Sequence, residues 1–543
     1  MRKLCMSLAA SLLLSSPVLA SDAPASLGRV TQVSHVLLIS IDGMHELDLA
    51  NCMSPTSGGP AYCPNLVEIV GHGLRYISTN TSRPSDSFPG LTALVTGATP
   101  RSTGAFYDVS YDRSLSPPAT TTPYGIVGGA DLCPKVVGTQ VGFDEEIDTD
   151  LTRVDAGGGI NPNYLPRDPK NNCQPVYPHQ FIRVNTIFNV AKNAGLTTAW
   201  SDKHQSYELS KGANGAGLDD FFAPEINSSV VALNGPAPFL VPGCQTIPDT
   251  SSTSDWTTSF QNVQCYDTIK VQAVLNWIDG MKHDGSGKLP GVPAIFGMNF
   301  QAVSVGQKLV EKSLGITGGY VDSQGTPSHA LQGEIAFVDA SIGRFVAELK
   351  KQGLSGSTLI IVTAKHGQSP IDPKRVLRIP ADNSSLEPPS SVLGDAGIDV
   401  AQALEDDVSL IWLADQSQTA AAVAALEAHE DLYGGGEIFS GPSLELLYPS
   451  PLLDPRTPDI IVAPNGGVVY TGGTAKVAEH GGSAQDDRNV MLVLSNPSFN
   501  PRTIDLAVET RQVAPTILRA LGLDPRALQA VRKEGTQPLP FSF

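Results

Sequence analysis

The chain has 543 residues, 36 basic and 54 acidic, for a net charge of −18. So acidic a chain repels nucleic-acid backbones, which excludes sequence-independent nucleic-acid binding, and it also repels small anions unless a site supplies local positive charge. No linker divides it, so a single α/β domain over residues 28–543 is expected, with insertions near 109–180 and 205–265, where Gly, Pro, Asn, Thr and Cys crowd together.

Arg2 and Lys3 precede an apolar run from Leu8 to Leu14, and Val18-Leu19-Ala20 stands before Ser21. This is the pattern of a signal peptide over residues 1–20, and it implies export to a periplasmic or extracellular space. The run is too short to span a bilayer, so the mature chain is expected to carry no transmembrane anchor. Removing residues 1–20 leaves 34 basic against 54 acidic side chains, net −20. Six cysteines remain, an even number that suits disulfides in an exported chain. Neighbour pairing is expected (Cys52–Cys63, Cys133–Cys173, Cys244–Cys265), because each pair brackets a Gly/Pro-rich stretch. A zinc cluster is the rival, but no C-x-x-C spacing supports it.

Short apolar, β-branched runs read as buried parallel strands: His35–Ile41, Thr197–Trp200, Ala294–Phe300, Thr358–Thr363, Ile460–Val462 and Val490–Leu494. Helical patterns alternate with them. Leu66, Ile69 and Val70 share one face before Gly73. Ile335, Val338, Ile342, Phe345, Val346 and Leu349 mark a long amphipathic helix stopped by Gly353, and Val513, Ile517, Leu518 and Leu521 mark another stopped by Gly522. Alternating strands and helices imply a mainly parallel sheet covered by helices on both faces.

In such sheets ligands bind at the carboxyl ends of the strands. Asp42-Gly43 ends the first run, Gln301 follows Phe300, and Lys365-His366-Gly367 follows Thr363 within two residues. His480-Gly481 lies in a turn before the Val490 run. Taken singly, each is more often a turn than a ligand. Ser87-Phe88-Pro89 opens a helical stretch through Leu91, Leu94 and Val95, with Pro89 suited to a first turn. A hydroxyl there meets free backbone N–H groups and the positive end of the helix, which favours an anion. The bland alternative is an N-cap serine.

These segments together resemble the type I phosphodiesterase/nucleotide pyrophosphatase family of the alkaline phosphatase superfamily. HVLLISIDGM is similar to its opening strand and metal-binding Asp, and SFPGLTALVTGATPRSTG to its nucleophile segment. TLIIVTAKHGQSP is similar to its TxDHG segment, EHGGSAQDDRNVMLVLS to its last His-Gly ligand and TRQVAPTILRALGL to its C-terminal helix. The likeness runs from about 35 to 525. A type I sulfatase is set aside, because its segment requires Arg where Leu91 stands.

The resemblance implies an alkaline phosphatase-like fold and a hydroxyl nucleophile set between two metal ions, usually zinc. Ser87 takes the nucleophile position. Asp42 and His366 align with ligands of one ion and His480 with a ligand of the other. The departures are large. Lys365 stands where the family has Asp, and an ammonium is no ligand. Gln301 and Gln307 stand in the region of the family's Asp-x-x-x-His, and Asp108 aligns with a phosphate-binding Asn. The expected cofactor is therefore zinc or another divalent metal at fewer than two ions per chain, down to none. Asp322 and His329 are candidate replacement ligands. Lys365 beside Asp42 would form an ion pair in the space of a missing metal and serve catalysis as a fixed charge, with Asp108 and Gln301 facing substrate. His45, His72, His204, His283 and His429 receive no role, although Lys203-His204 follows a strand. The expected activity is hydrolysis of phosphodiester or phosphomonoester bonds in a small phosphorylated substrate. The alternative is a non-catalytic binding protein that kept the fold.

Overall fold

The computed structural model describes residues 33–56, 58–151, 153–154, 158–228, 257–471 and 473–542. The expected signal peptide and Cys244 lie outside the described residues. Eight strands form the main sheet, in the spatial order 502–504, 73–76, 492–495, 358–363, 35–41, 295–300, 199–201 and 220–222. His35–Ile41 lies near the middle, parallel to Ile295–Phe300 on one side and Thr358–Thr363 on the other. Its side chains Val36 to Ile41 are buried on both faces, which is why the run is continuous rather than alternating. Leu492–Ser495 departs from the parallel pattern and pairs antiparallel with both of its neighbours.

The sheet divides two apolar cores. Val36, Leu38, Phe88, Leu91, Leu94 and Ile517 belong to one; Leu37, Ile39, Ile41, Trp277, Ile335 and Phe345 belong to the other. The period-2 alternation along the first strand thus feeds a helical layer on each face. The long helix runs His329–Lys351 and its chain turns at Gly353 with φ +71°. The C-terminal helix runs Val513–Ala520, with Gly522 also at φ +71°. The helix carrying Leu66 and Ile69 ends at Gly71, and Gly73 opens a strand instead of capping the helix.

Two strand expectations are corrected: the Val490–Leu494 run, read as parallel, is the antiparallel strand Leu492–Ser495, and the Ile460–Val462 run lies in another sheet. Ile460–Pro464 does not join the main sheet but a separate four-stranded one, with Val400–Glu405, Ser409–Leu413 and Gly436–Ser440. All of its pairings are antiparallel. A short apolar run reads the same whether helices or other side chains cover its faces. Here Ile411, Leu413, Ile460 and Val462 bury one face, while Leu410, Trp412 and Ile461 pack the other on Phe106 and Tyr107. The first insertion holds an antiparallel hairpin of Val109–Asp112 with Thr139–Gly142. The second is not all loop, since Asp220–Phe222 is an edge strand of the main sheet. Disulfides join Cys52 to Cys63 and Cys133 to Cys173.

Gly90 fixes how closely the Ser87–Thr96 helix approaches the sheet. A Cβ there would stand 2.2 Å from the Lys365 carbonyl oxygen and 2.7 Å from its carbon. Because that neighbour is backbone at a strand end, it cannot swing away. Gly90→Ala is expected to destabilise the fold by about 1–3 kcal/mol through overpacking, read as a lowered urea midpoint at unchanged slope.

Candidate functional site

Four neighbouring parallel strands deliver polar residues to one edge of the sheet. Asp42 follows Ile41, Gln301 follows Phe300, Asp202 and Lys203 follow Ser201, and Lys365 and His366 come just after Thr363. Ser87 opens the facing helix. Asp86 is the N-cap, its carboxylate accepting from the Phe88 N–H at 2.8 Å, so Ser87 is the first helical residue and not the cap. Its hydroxyl is therefore available to other partners. It donates to Asp42 Oδ2 at 3.2 Å and accepts from the Lys203 ammonium at 3.0 Å.

Asp42 is the centre of the cluster. Oδ2 also accepts from Gln301 Nε2 at 2.6 Å and Asn299 Nδ2 at 3.0 Å. Around it stand His366 Nε2 at 3.5 Å, Lys365 Nζ at 3.8 Å and Lys203 Nζ at 4.0 Å. Its other oxygen, Oδ1, is buried with no hydrogen-bond donor. Burial pushes the carboxyl's pKa upward, but Lys365, His366 and Lys203 outweigh it and hold Asp42 well below the usual carboxylate range. Lys203 shows the converse. Burial disfavours its charge, yet the carboxylates of Asp42, Asp108, Asp86 and Asp202 raise its pKa, so it remains an ammonium.

Lys365 is wholly buried, and its closest partner is Asp202 at 2.7 Å. It also stands 3.8 Å from Asp42 Oδ2, the pairing expected from sequence, and is not among the residues lining the cavity. Lys203, which touches Ser87, does line the cavity. From sequence Lys203 stands out only as following a strand and able to face the pocket, and Asp202 does not stand out, although the strand-end rule that found Asp42 applies equally to both. The Thr197–Trp200 run is short and its following polar pair matches no familiar motif.

The His366 and His480 rings lie with centroids 4.2 Å apart, tilted by 39°. Burial lowers both pKa values, and for His480 the neighbouring His366 and Lys308 lower it further. His480 Nδ1 lies 3.5 Å from Asp86 Oδ1 and 3.3 Å from the Tyr107 hydroxyl, which donates to Asp406 at 2.6 Å. Tyr107 thereby ties the smaller sheet to the site. Asp108, Gln301, Lys203 and His480 line a cavity of about 380 Å³, together with Lys308 and Lys476.

Two candidates lie elsewhere. Asp322 accepts from the N–H groups of Gln324 and Thr326 within its own turn, and His329 is exposed at the start of the long helix. Gln307 is buried but turned toward the Gly43 carbonyl (2.8 Å), Asp48 and Tyr320. His45, given no role from sequence, is an internal strut, bonded to Asp48, Tyr320 and the Asp486 carbonyl.

The family model for type I phosphodiesterase / nucleotide pyrophosphatase matches residues 36–484. Among solved structures, murine ectonucleotide pyrophosphatase/phosphodiesterase 5 is similar in fold, both as an inactive variant in complex with AMP and without that label. Each superposes at TM-score 0.51 with 12% identity; the first pairing covers 91% of this chain and 96% of the other, the second 90% and 96%. No curated protein matches by sequence. No helix among the described residues is long and apolar enough to cross a membrane.

Removing Lys365 would leave Asp202 and Asp42, both buried, with Lys203 as the cation they share. Lys365→Met is expected to cost about 3–5 kcal/mol, and Asp202→Asn added to it should restore part of the loss; a double-mutant cycle by urea unfolding measures both. Asp42 also sets an acid limit. Its folded pKa lies below the ordinary value of 3.8, so the unfolded chain binds its proton first as pH falls. Its contribution is full above that value and is lost below it. Asp42→Asn is expected to flatten the stability curve below pH about 4, measured by denaturant midpoints at successive pH values.

Proposed function

We propose, for a chain that belongs to the type I phosphodiesterase/nucleotide pyrophosphatase family, that Ser87 is the nucleophile of an exported phosphoester hydrolase in which ammonium groups do much of the work of metal ions. The observation that carries this reading is the Ser87 hydroxyl held between Lys203 Nζ at 3.0 Å and Asp42 Oδ2 at 3.2 Å at a helix N-terminus.

The residues do not fit a two-metal centre. Asp42 Oδ2 is already shared among the Ser87 hydroxyl and the amides of Asn299 and Gln301, and two ammoniums stand within 4.0 Å of it. Divalent ions added there would face uncompensated repulsion. Asp42 Oδ1, His366 and His480 remain as the proposed donors for at most a single ion, and no step below requires one.

In the proposed reaction a small phosphodiester or phosphomonoester enters the cavity, where Lys203, Lys308 and Lys476 supply the positive charge that the acidic chain otherwise lacks. The Ser87 oxygen forms a bond to phosphorus and passes its proton to Asp42, while the Lys203 ammonium stabilises the developing oxyanion. The bond from phosphorus to the ester oxygen breaks on the opposite side, and that oxygen leaves as an alcohol, taking a proton from solvent. Water then attacks the phosphoseryl group and gives one proton to solvent, the phosphate is released, and Asp42 returns its proton to the Ser87 oxygen. Lys365 acts as a positioning residue, because it holds Asp42 and Asp202 in place. Asp108 stands where substrate would lie and favours a monoanionic diester over a dianionic monoester, by charge repulsion. Export is supported by the Cys52–Cys63 and Cys133–Cys173 disulfides.

A second reading has its own observation: Ser87 has no exposed surface. A binding protein that kept the fold would hold a phosphorylated ligand in the cavity without reaching the hydroxyl. The mature protein, treated with EDTA, should hydrolyse a chromogenic phosphodiester, and Ser87→Ala should lower the rate by about 10²–10⁴-fold. Lys203→Met should cost about 10²–10³-fold, as loss of an oxyanion donor does elsewhere. Equal rates for wild type and Ser87→Ala, with AMP bound equally by both, would favour the binding protein.

A further inference from the structure

A second group of ligand-type side chains lies on another wall of the same cavity. Glu145, His204 and Glu225 each offer one ligand atom, and the three atoms lie within 4.8 Å of one another. Glu145 and His204 line the cavity. His204 Nδ1 stands 2.7 Å from Glu225 Oε1. His204 and Glu225 are buried, with 4% and 0% exposure, and Glu145 is half-exposed, which leaves an open side toward the cavity.

A separate observation concerns Asp148. It is 1% exposed, and neither carboxylate oxygen meets a hydrogen-bond donor. Its strongest electrostatic neighbour is Glu225. Two carboxyl groups therefore stand at one imidazole, and a third, Asp148, lies against one of them with no donor on either oxygen. Buried carboxylates without donors are costly, and the cost is removed by a proton or by a cation.

We propose that Glu145, His204 and Glu225, backed by Asp148, bind one divalent transition-metal ion at a position distinct from the Asp42–His366–His480 cluster. One imidazole with two or three carboxylates is a borderline donor set, suited to Zn²⁺ or Mn²⁺ more than to Ca²⁺ or Mg²⁺, which take all-oxygen shells. Ligands about 2.0–2.2 Å from zinc stand roughly 3.3–3.6 Å apart in a tetrahedron, so the observed spacing closes on an ion with small side-chain rotations. The ion takes the place of the proton between His204 and Glu225, and its open position faces the cavity. There an anionic ligand would meet it beside Lys203, the residue preceding His204. A chain that lost ligands at the family's centre would thus keep a metal on a neighbouring wall.

The test reads metal and not turnover, so it stands apart from the hydrolase reading. The mature full-length protein is stripped with EDTA, titrated with Zn²⁺ and with Mn²⁺ by calorimetry, and assayed for metal by elemental analysis. About one tight equivalent is expected in wild type and equally in Ser87→Ala and Asp42→Asn. Glu145→Gln, at a half-exposed position that should leave folding intact, is expected to weaken binding at least tenfold, and His204→Ala to abolish it. Tight binding undiminished in Glu145→Gln, binding lost in Asp42→Asn instead, or no tight equivalent in wild type would each overturn the proposal.

Discussion

Asp42 has more positive neighbours than a carboxylate can hold singly, and the active edge of the sheet is arranged around that fact. Lys365 and Lys203 both approach it, and Asp202, beyond the strand two places away in the sheet, pairs with Lys365. Because Asp42, Asp202 and Lys365 have no exposed surface, water cannot screen the pairs. Each charge is tolerable only while the others stay in place. That mutual dependence fixes the ends of three parallel strands, and through the Ser87 hydroxyl it fixes the helix that faces them.

Metal ions and ammonium groups supply positive charge in different ways. A divalent ion gathers several lone pairs at one point and lowers the pKa of whatever oxygen binds it. An ammonium donates at most three hydrogen bonds and cannot compress ligands around itself. The cluster reflects the second kind of arrangement: amides from Asn299 and Gln301 fill positions on Asp42 where ligands of an ion would compete. Lys203 remains charged because four carboxylates surround it, which suits an oxyanion stabiliser and not a base.

The smaller antiparallel sheet matters to the site through one side chain. Tyr107 packs in its core with Trp412 and Leu410 and places its hydroxyl between Asp406 and His480. The cavity therefore has walls from both the main sheet and this smaller one. Its chemistry depends on how the two are held, as well as on the strand ends.

Much of the main sheet was legible in the sequence because its strands are buried on both faces and read as uninterrupted apolar runs. His35–Ile41 and Thr358–Thr363 begin and end where the runs do. Asp42, Ser87, His366 and His480 were legible because short motifs mark them and because strand ends are where parallel sheets bind ligands. The partners of Lys365 and Ser87 were not. Asp202 and Lys203 come from a strand of three residues whose neighbour in space, Ile295–Phe300, is far away in the chain. Nor could an apolar run such as Ile460–Val462 reveal which sheet it joins, since burial alone leaves pairing and direction open. The sequence by itself determined which segments must be buried and which residue types stand at their ends. Only the tertiary structure decided which charges meet, because ion pairing acts over a few ångströms between segments that only strand order brings together.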